Sequence, residues 1–151
     1  MNQPTAMPFP PELFQLRQDT NSVRSVIDQL QPLGLQWQVE EDADRDRVRA
    51  LAPLFVDSEA GEIWAVAAVE NWGSPRHEHN DGGIYGELVI TMAGALDDVT
   101  DDGRAVQCLP GTVLWHAGGT VHQATGEFWV GIYHQPRGST PRPIEDDPDT
   151  L

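Results

Sequence analysis

The sequence predicts an all-β domain, a sandwich or barrel preceded by one short helix. Three observations carry this. Gly, Pro or Asp clusters recur about every ten residues, the apolar residues between them alternate or run in short blocks, and only one segment has a helical period. A chain of 151 residues is one domain's worth, long enough to bury a core without disulfides.

Taken in order, Pro4, Pro8, Pro10 and Pro11 make an extended arm. Val23, Val26, Ile27 and Leu30 then fall at i, i+3, i+4 and i+7, with Asn21 placed to cap the start and Pro32 and Gly34 to stop the segment, so a helix of about three turns is expected. Leu35, Trp37 and Val39 alternate with Gln36 and Gln38 as a strand, and Ile63 to Val69 reads as a buried strand after a turn at Asp57 to Gly61. Further strands are expected at Glu87 to Met92, Val106 to Leu109, Thr112 to His116 and Phe128 to His134. The tail from Arg137, with Pro141, Pro143, Pro148 and a run of acids, reads as a surface strap or as disordered. The resulting division is an arm and helix over 1–34, a β-barrel over 35–138 and an acidic, Pro-rich tail over 139–151.

Composition removes several functions. With 24 acidic against 9 basic residues the formal charge is −15, a surface that repels phosphate backbones and anionic lipid. Nucleic acid and membrane are therefore excluded as partners, and a small molecule is expected. All nine basic residues are Arg, which removes lysine Schiff-base chemistry and a P-loop. The longest apolar run, Ile63 to Val69, is too short to cross a bilayer and no signal-peptide core follows Met1, so a cytoplasmic protein is expected. Cys108 is the only cysteine, so a metal site would be built from histidine and carboxylate. No serine sits in a nucleophile elbow, and no Gly-x-Gly-x-x-Gly is present.

All five histidines, His77, His79, His116, His122 and His134, lie in the second half of the chain. His77 and His79 are two apart, so on a strand both imidazoles point to one side of the sheet and can share a cation. Glu87 alternates with Val89 and Thr91 on one face of the following strand, and its carboxylate completes three ligands of a nitrogen and oxygen site.

The stretch His77-x-His79, Glu87 and Gly94 resembles the first cupin motif, and the Glu-to-Gly interval matches it. Gly111, Ala117, Gly119, His122 and Gly126 are similar to the second cupin motif at every interval, with Ala117 in place of its Pro and Gly126 in place of its Asn. The gap from His79 to Glu87 is longer than the motif's, the extra residues falling between Asn80 and Gly86. The resemblance covers about Gly73 to Gly138. It implies a double-stranded β-helix, or jelly-roll barrel, in which His77, His79, Glu87 and His122 bind one divalent metal. Fe(II) is favoured, and Zn(II), Mn(II), Ni(II) or Cu(II) also suit three imidazoles and a carboxylate. The run Gly86 to Val89 through Gly94 to Asp98 looks most like the ChrR-type subgroup, which contains a zinc-bearing regulatory domain and iron dioxygenases acting on carbonyl compounds. Small cupin barrels pair through strands near the amino terminus, and Leu35 to Val39 would otherwise be an exposed edge, so a homodimer is expected.

Among the remaining polar residues, His116 shares a strand face with Leu114 and reads either as a proton-handling base near the pocket or as a hydrogen-bonded structural histidine. Tyr85, two before Glu87, reads as a phenol for bound substrate or as a rim tyrosine. His134, in phase with Phe128, Val130 and Ile132, either points into the barrel or caps its mouth. Trp72 and Trp115 read as walls of an apolar pocket or as core. The function expected is a metal-dependent dioxygenase acting on a small carbonyl or chelating substrate; the alternatives are a zinc-binding sensory or regulatory cupin and a cupin isomerase or lyase.

Overall fold

The structure is a computed structural model that describes residues 9–57, 62–79, 87–135 and 141–144. Among the described residues, one α-helix, α1 (Val23–Gln29), precedes ten strands: β1 (Gln38–Asp42), β2 (Arg47–Asp57), β3 (Glu62–Gly73), β4 (His77–His79), β5 (Glu87–Gly94), β6 (Leu96–Thr100), β7 (Ala105–Cys108), β8 (Val113–His116), β9 (Val121–Gln135) and β10 (Pro141–Pro143). The helix is about two turns, shorter than expected, and its cap is Ser22 rather than Asn21: the Ser22 hydroxyl accepts a bond from the Ser25 N–H at 3.1 Å. Pro32 and Gly34 do end the segment, through a 3₁₀ turn closed by Gly34 at φ 65°.

Strand β9 is the spine. Its first residues pair with β4 on one side and β6 on the other; its later residues pair with β3 and β5. β3 and β4 thus run in succession along one edge of β9, and β5 and β6 along the other. All of them turn near the middle, which folds the sheet over itself into two layers. One layer is β1-β2-β3-β9-β5-β8, and the other is β10-β4-β9-β6-β7. The turn explains the glycine of the first motif. At Gly94, φ is 72° and an added Cβ would lie 2.1 Å from the Phe128 carbonyl oxygen, so only glycine lets β5 turn against β9 here.

Two apolar clusters hold the layers. Val69, Val89, Leu96, Cys108 and Trp129 pack between them, where the Trp129 indole N–H donates to Thr91 Oγ1 at 2.9 Å. On the outer face of the first layer, Leu13, Val23, Val26 and Leu30 cover Ala50, Val66, Ala68, Val130 and Ile132. The amphipathic stripe of α1 therefore roofs the barrel from outside.

The expected strand at Leu35 to Val39 is displaced to β1, because Leu35 and Trp37 pack against the outer cluster instead of entering the ladder. β2 carries Arg47, Arg49 and Pro53, which disguise it in sequence; the register slips between Pro53 and Phe55, so the proline sits at an irregularity. The turn from Asp57 to Gly61 lies mostly outside the described residues. The tail is a strap at 141–144, where β10 pairs with β4. Among the described residues, no helix is long and apolar enough to cross a membrane.

Candidate metal centre

The cluster lies between the two layers, away from the turn at Gly94. β4 and the start of β9 bring His77, His79 and His122 from one layer, with His77 directly opposite His122 in the ladder. β5 brings Glu87 from the other. One ligating atom from each of the four lies within 4.8 Å of all the others. His77 Nε2 is 3.2 Å from His79 Nε2, and His79 Nε2 is 2.6 Å from Glu87 Oε2. The strand period puts both histidines of β4 inward and Glu78 outward.

Two of the three imidazoles, His77 and His122, are oriented from behind. His77 Nδ1–H donates to the Pro75 carbonyl at 2.6 Å, which leaves the Nε2 lone pair facing the cluster. Burial, more than the neighbouring His122 and His79, pulls the His77 pKa down and keeps the ring neutral. His122 Nδ1–H donates to Asp98 Oδ2 at 2.9 Å, and its Nε2, turned to the cluster, is buried without a hydrogen-bond partner among the described residues. A buried ring nitrogen with nothing to bond is costly unless a cation takes its lone pair. Burial pushes the Glu87 pKa up, but the His79 bond and the surrounding imidazoles outweigh it, and the group stays ionised. Three imidazole nitrogens and one carboxylate therefore converge on one buried point, a donor set that fits a divalent transition metal.

Asp98 escaped the sequence reading. It is 3% exposed on β6, with Oδ2 on His122 and Oδ1 2.9 Å from His116 Nε2. Burial acts to raise its pKa, yet the two imidazoles hold it at about 2. The signal was present: in Leu96–Thr100, Leu96 and Asp98 share a face and are buried while Asp97 and Val99 are exposed. Tyr133 was missed too. It lies on the inner face of β9 with Trp129, and its hydroxyl donates to Gln135 Oε1 at 2.6 Å. Burial, and then the nearby Glu87 charge, raise its pKa, so the phenol keeps its proton.

The other expected residues divide. His116 is buried directly across the ladder from Glu87, committed to Asp98 rather than to the open pocket. His134 does not enter the barrel: it shares the outer face with Val130 and Ile132 and stacks on Trp64, ring centroids 4.0 Å apart. Its strand phase was read correctly, but the covered side of the sheet there is the one roofed by the arm. Trp115 alternates outward on β8 and is 62% exposed, so it walls no pocket. Trp72 packs against the inner cluster under the Arg49 guanidinium, opposite Gly126 in the ladder and away from the histidines. Tyr85 lies outside the described residues.

No protein-family model matches the chain, and no curated protein matches it. Solved structures do. A cupin 2 conserved barrel domain protein from Rhodopseudomonas palustris aligns with TM-score 0.58 and 14% identity over 78% of this chain and 81% of its own. The DMSP lyase DddQ from Ruegeria pomeroyi DSS-3 aligns with TM-score 0.61 and 16% identity over 97% and 84%. A sugar phosphate isomerase from a cupin superfamily, from Silicibacter pomeroyi, aligns with TM-score 0.56 and 19% identity over 77% and 81%. At these identities the likeness is one of fold.

Proposed function

The chain has the cupin fold, and we propose that it is a metal-dependent enzyme in which His77, His79, Glu87 and His122 hold one divalent ion beside a small carbonyl or chelating substrate. The observation that carries this reading is the convergence of three imidazole nitrogens and one carboxylate between the two layers of the barrel. When bound, Fe(II) would supply Lewis acidity and a redox centre, whereas Zn(II) would supply Lewis acidity alone. The protein's own groups hold and orient. Pro75 and Asp98 fix the ring faces of His77 and His122, and the inner apolar cluster excludes water from below. Tyr133, rather than Trp115 or His134, is the group placed to meet substrate; its protonated hydroxyl can leave Gln135 and donate to a substrate oxygen.

The reaction proposed first is oxygenation by an Fe(II) dioxygenase. His116 is tied to Asp98 and the Tyr133 phenol is protonated, and orienting a chelating substrate is the work such groups can do. The ChrR-type resemblance supports this and rests on the sequence run alone. A lyase or isomerase is the second reading, favoured by the lyase and isomerase activities named for two structural neighbours. The proposed partner is a second copy of the chain at the β1 edge, where Val39 and Leu51 are exposed.

The test loads the protein with Fe(II) under argon, adds a panel of dicarbonyls, catechols and hydroxy acids, and follows dissolved oxygen on admitting air. Uptake of one oxygen per substrate, slowed in Tyr133→Phe with metal content unchanged, is expected. Turnover of a panel member without oxygen would favour the lyase or isomerase; stoichiometric zinc with no turnover would favour sensing.

A further inference from the structure

Strand β4 is only three residues long, yet it carries two of the four proposed ligands. Its hold on β9 is correspondingly brief, two pairings, His77 with His122 and Glu78 with Val121, and the turn before β9 adds one bond from the Gly119 N–H to the His79 carbonyl at 2.7 Å. On its other edge lies β10, with Pro141 opposite His79, Arg142 opposite Glu78 and Pro143 opposite His77; the Ile144 N–H continues the ladder to the Arg76 carbonyl at 3.0 Å. Glu78, which points away from the imidazoles, forms an ion pair with the Arg142 guanidinium.

The order Pro-Arg-Pro-Ile suits this one task. Backbone groups of alternate residues face opposite edges of a strand, and the Ile144 bond shows that the even-numbered residues face β4. Pro141 and Pro143 therefore fall on the outer edge, where they offer no N–H to a further strand. The strap can add to β4 and can template nothing else.

We propose that the C-terminal strap holds β4 in register for metal binding, with Arg142 as a positioning residue acting through Glu78 on His77 and His79. The inference rests on the metal reading above. Strap docking and metal binding stabilise the same three residues, so each must strengthen the other by the same factor. In this account residues 141–144 govern how tightly the metal is kept.

The experiment titrates the full-length protein with Co(II) against a chromophoric chelator, and reads amide hydrogen exchange with and without Co(II). Arg142→Ala is expected to weaken Co(II) binding by about tenfold, the lower end of the effect of groups that orient metal ligands. The charge-swapped Glu78→Arg, Arg142→Glu double variant should regain wild-type affinity within about threefold, as a true pair requires. In the wild type, Co(II) should slow exchange of the Ile144 amide by about the same tenfold, by linkage. Wild-type affinity in Arg142→Ala, or a folded double variant as weak as Arg142→Ala, would overturn the strap's role while leaving the metal reading intact. Should Arg142→Ala not fold, exchange at Ile144 in the wild type decides: unchanged exchange on Co(II) binding overturns the proposal. Failure of the wild type to bind Co(II) overturns the metal reading and this inference with it.

Discussion

Asp98→Asn probes the site through a residue that need not touch the metal. The carboxylate is 3% exposed, accepts a bond from His122 Nδ1–H at 2.9 Å, and lies with its other oxygen 2.9 Å from His116 Nε2. Asparagine keeps one acceptor oxygen and presents an NH₂ to the other ring. If the amide faces His122, that ring must offer Nδ1 as acceptor and move its proton to Nε2, the atom turned to the metal. If it faces His116, His122 keeps its tautomer but loses a charged acceptor. Replacing the group behind a ligating imidazole typically costs about 10- to 100-fold in metal affinity, or roughly 1.4–2.7 kcal/mol. Chelator competition with Co(II) or Zn(II) measures it, alongside circular dichroism to show that the variant is folded. His116→Phe is the control: it leaves the His122–Asp98 bond in place and should stay within about threefold of wild type. A folded Asp98→Asn protein with wild-type affinity would refute the argument that Asp98 sets the face of His122.

Glu87→Gln should weaken metal binding less than His77→Ala or His122→Ala, since three imidazoles remain, and an equal loss would mean the carboxylate is the dominant ligand. Asp98 also sets a pH dependence: held at about 2 in the folded protein against an ordinary 3.8, it contributes stability that is fully present above pH 4 and is lost as pH falls towards 2. Urea unfolding of chelator-treated protein should show wild type losing about 2 kcal/mol relative to Asp98→Asn across that window, and parallel curves would contradict it. Light scattering should give a homodimer at micromolar concentration, with an arginine at Val39 shifting it to monomer; a wild-type monomer would remove the β1 edge from the account.

Periodicity and punctuation made the architecture legible. The helix, the buried strand within β3 and the strands at β5, β7, β8 and β9 follow from apolar phase and turn residues, because those signals are local. β2 and β6 were hidden because their buried positions are filled by small residues or by a carboxylate: Ala50 of β2 is covered by the arm and helix on the outer face, and Asp98 of β6 is buried against His116 and His122, so burial there is decided by what packs on the strand and not by its own composition. The metal cluster was legible through spacing, since His77 and His79 share a strand face wherever the strand lies. Asp98 behind His122 and Tyr133 near Glu87 lie on strands distant in sequence from their partners' and carry no spacing signal relative to them. His134 and Trp115 show the converse: the phase of a side chain can be read from sequence, but which face of the sheet encloses the site depends on where the arm packs.

Metal content tests the central claim most directly. Full-length protein purified under conditions that preserve bound metal, and then the His122→Ala variant prepared identically, should be measured by elemental analysis against protein concentration. The account predicts close to one divalent transition metal ion per wild-type chain and little in His122→Ala, with His134→Ala, whose ring stacks on Trp64 outside the barrel, retaining the wild-type value. A wild type with no metal that also takes up none on reconstitution, or equal occupancy in His122→Ala and wild type, would contradict it.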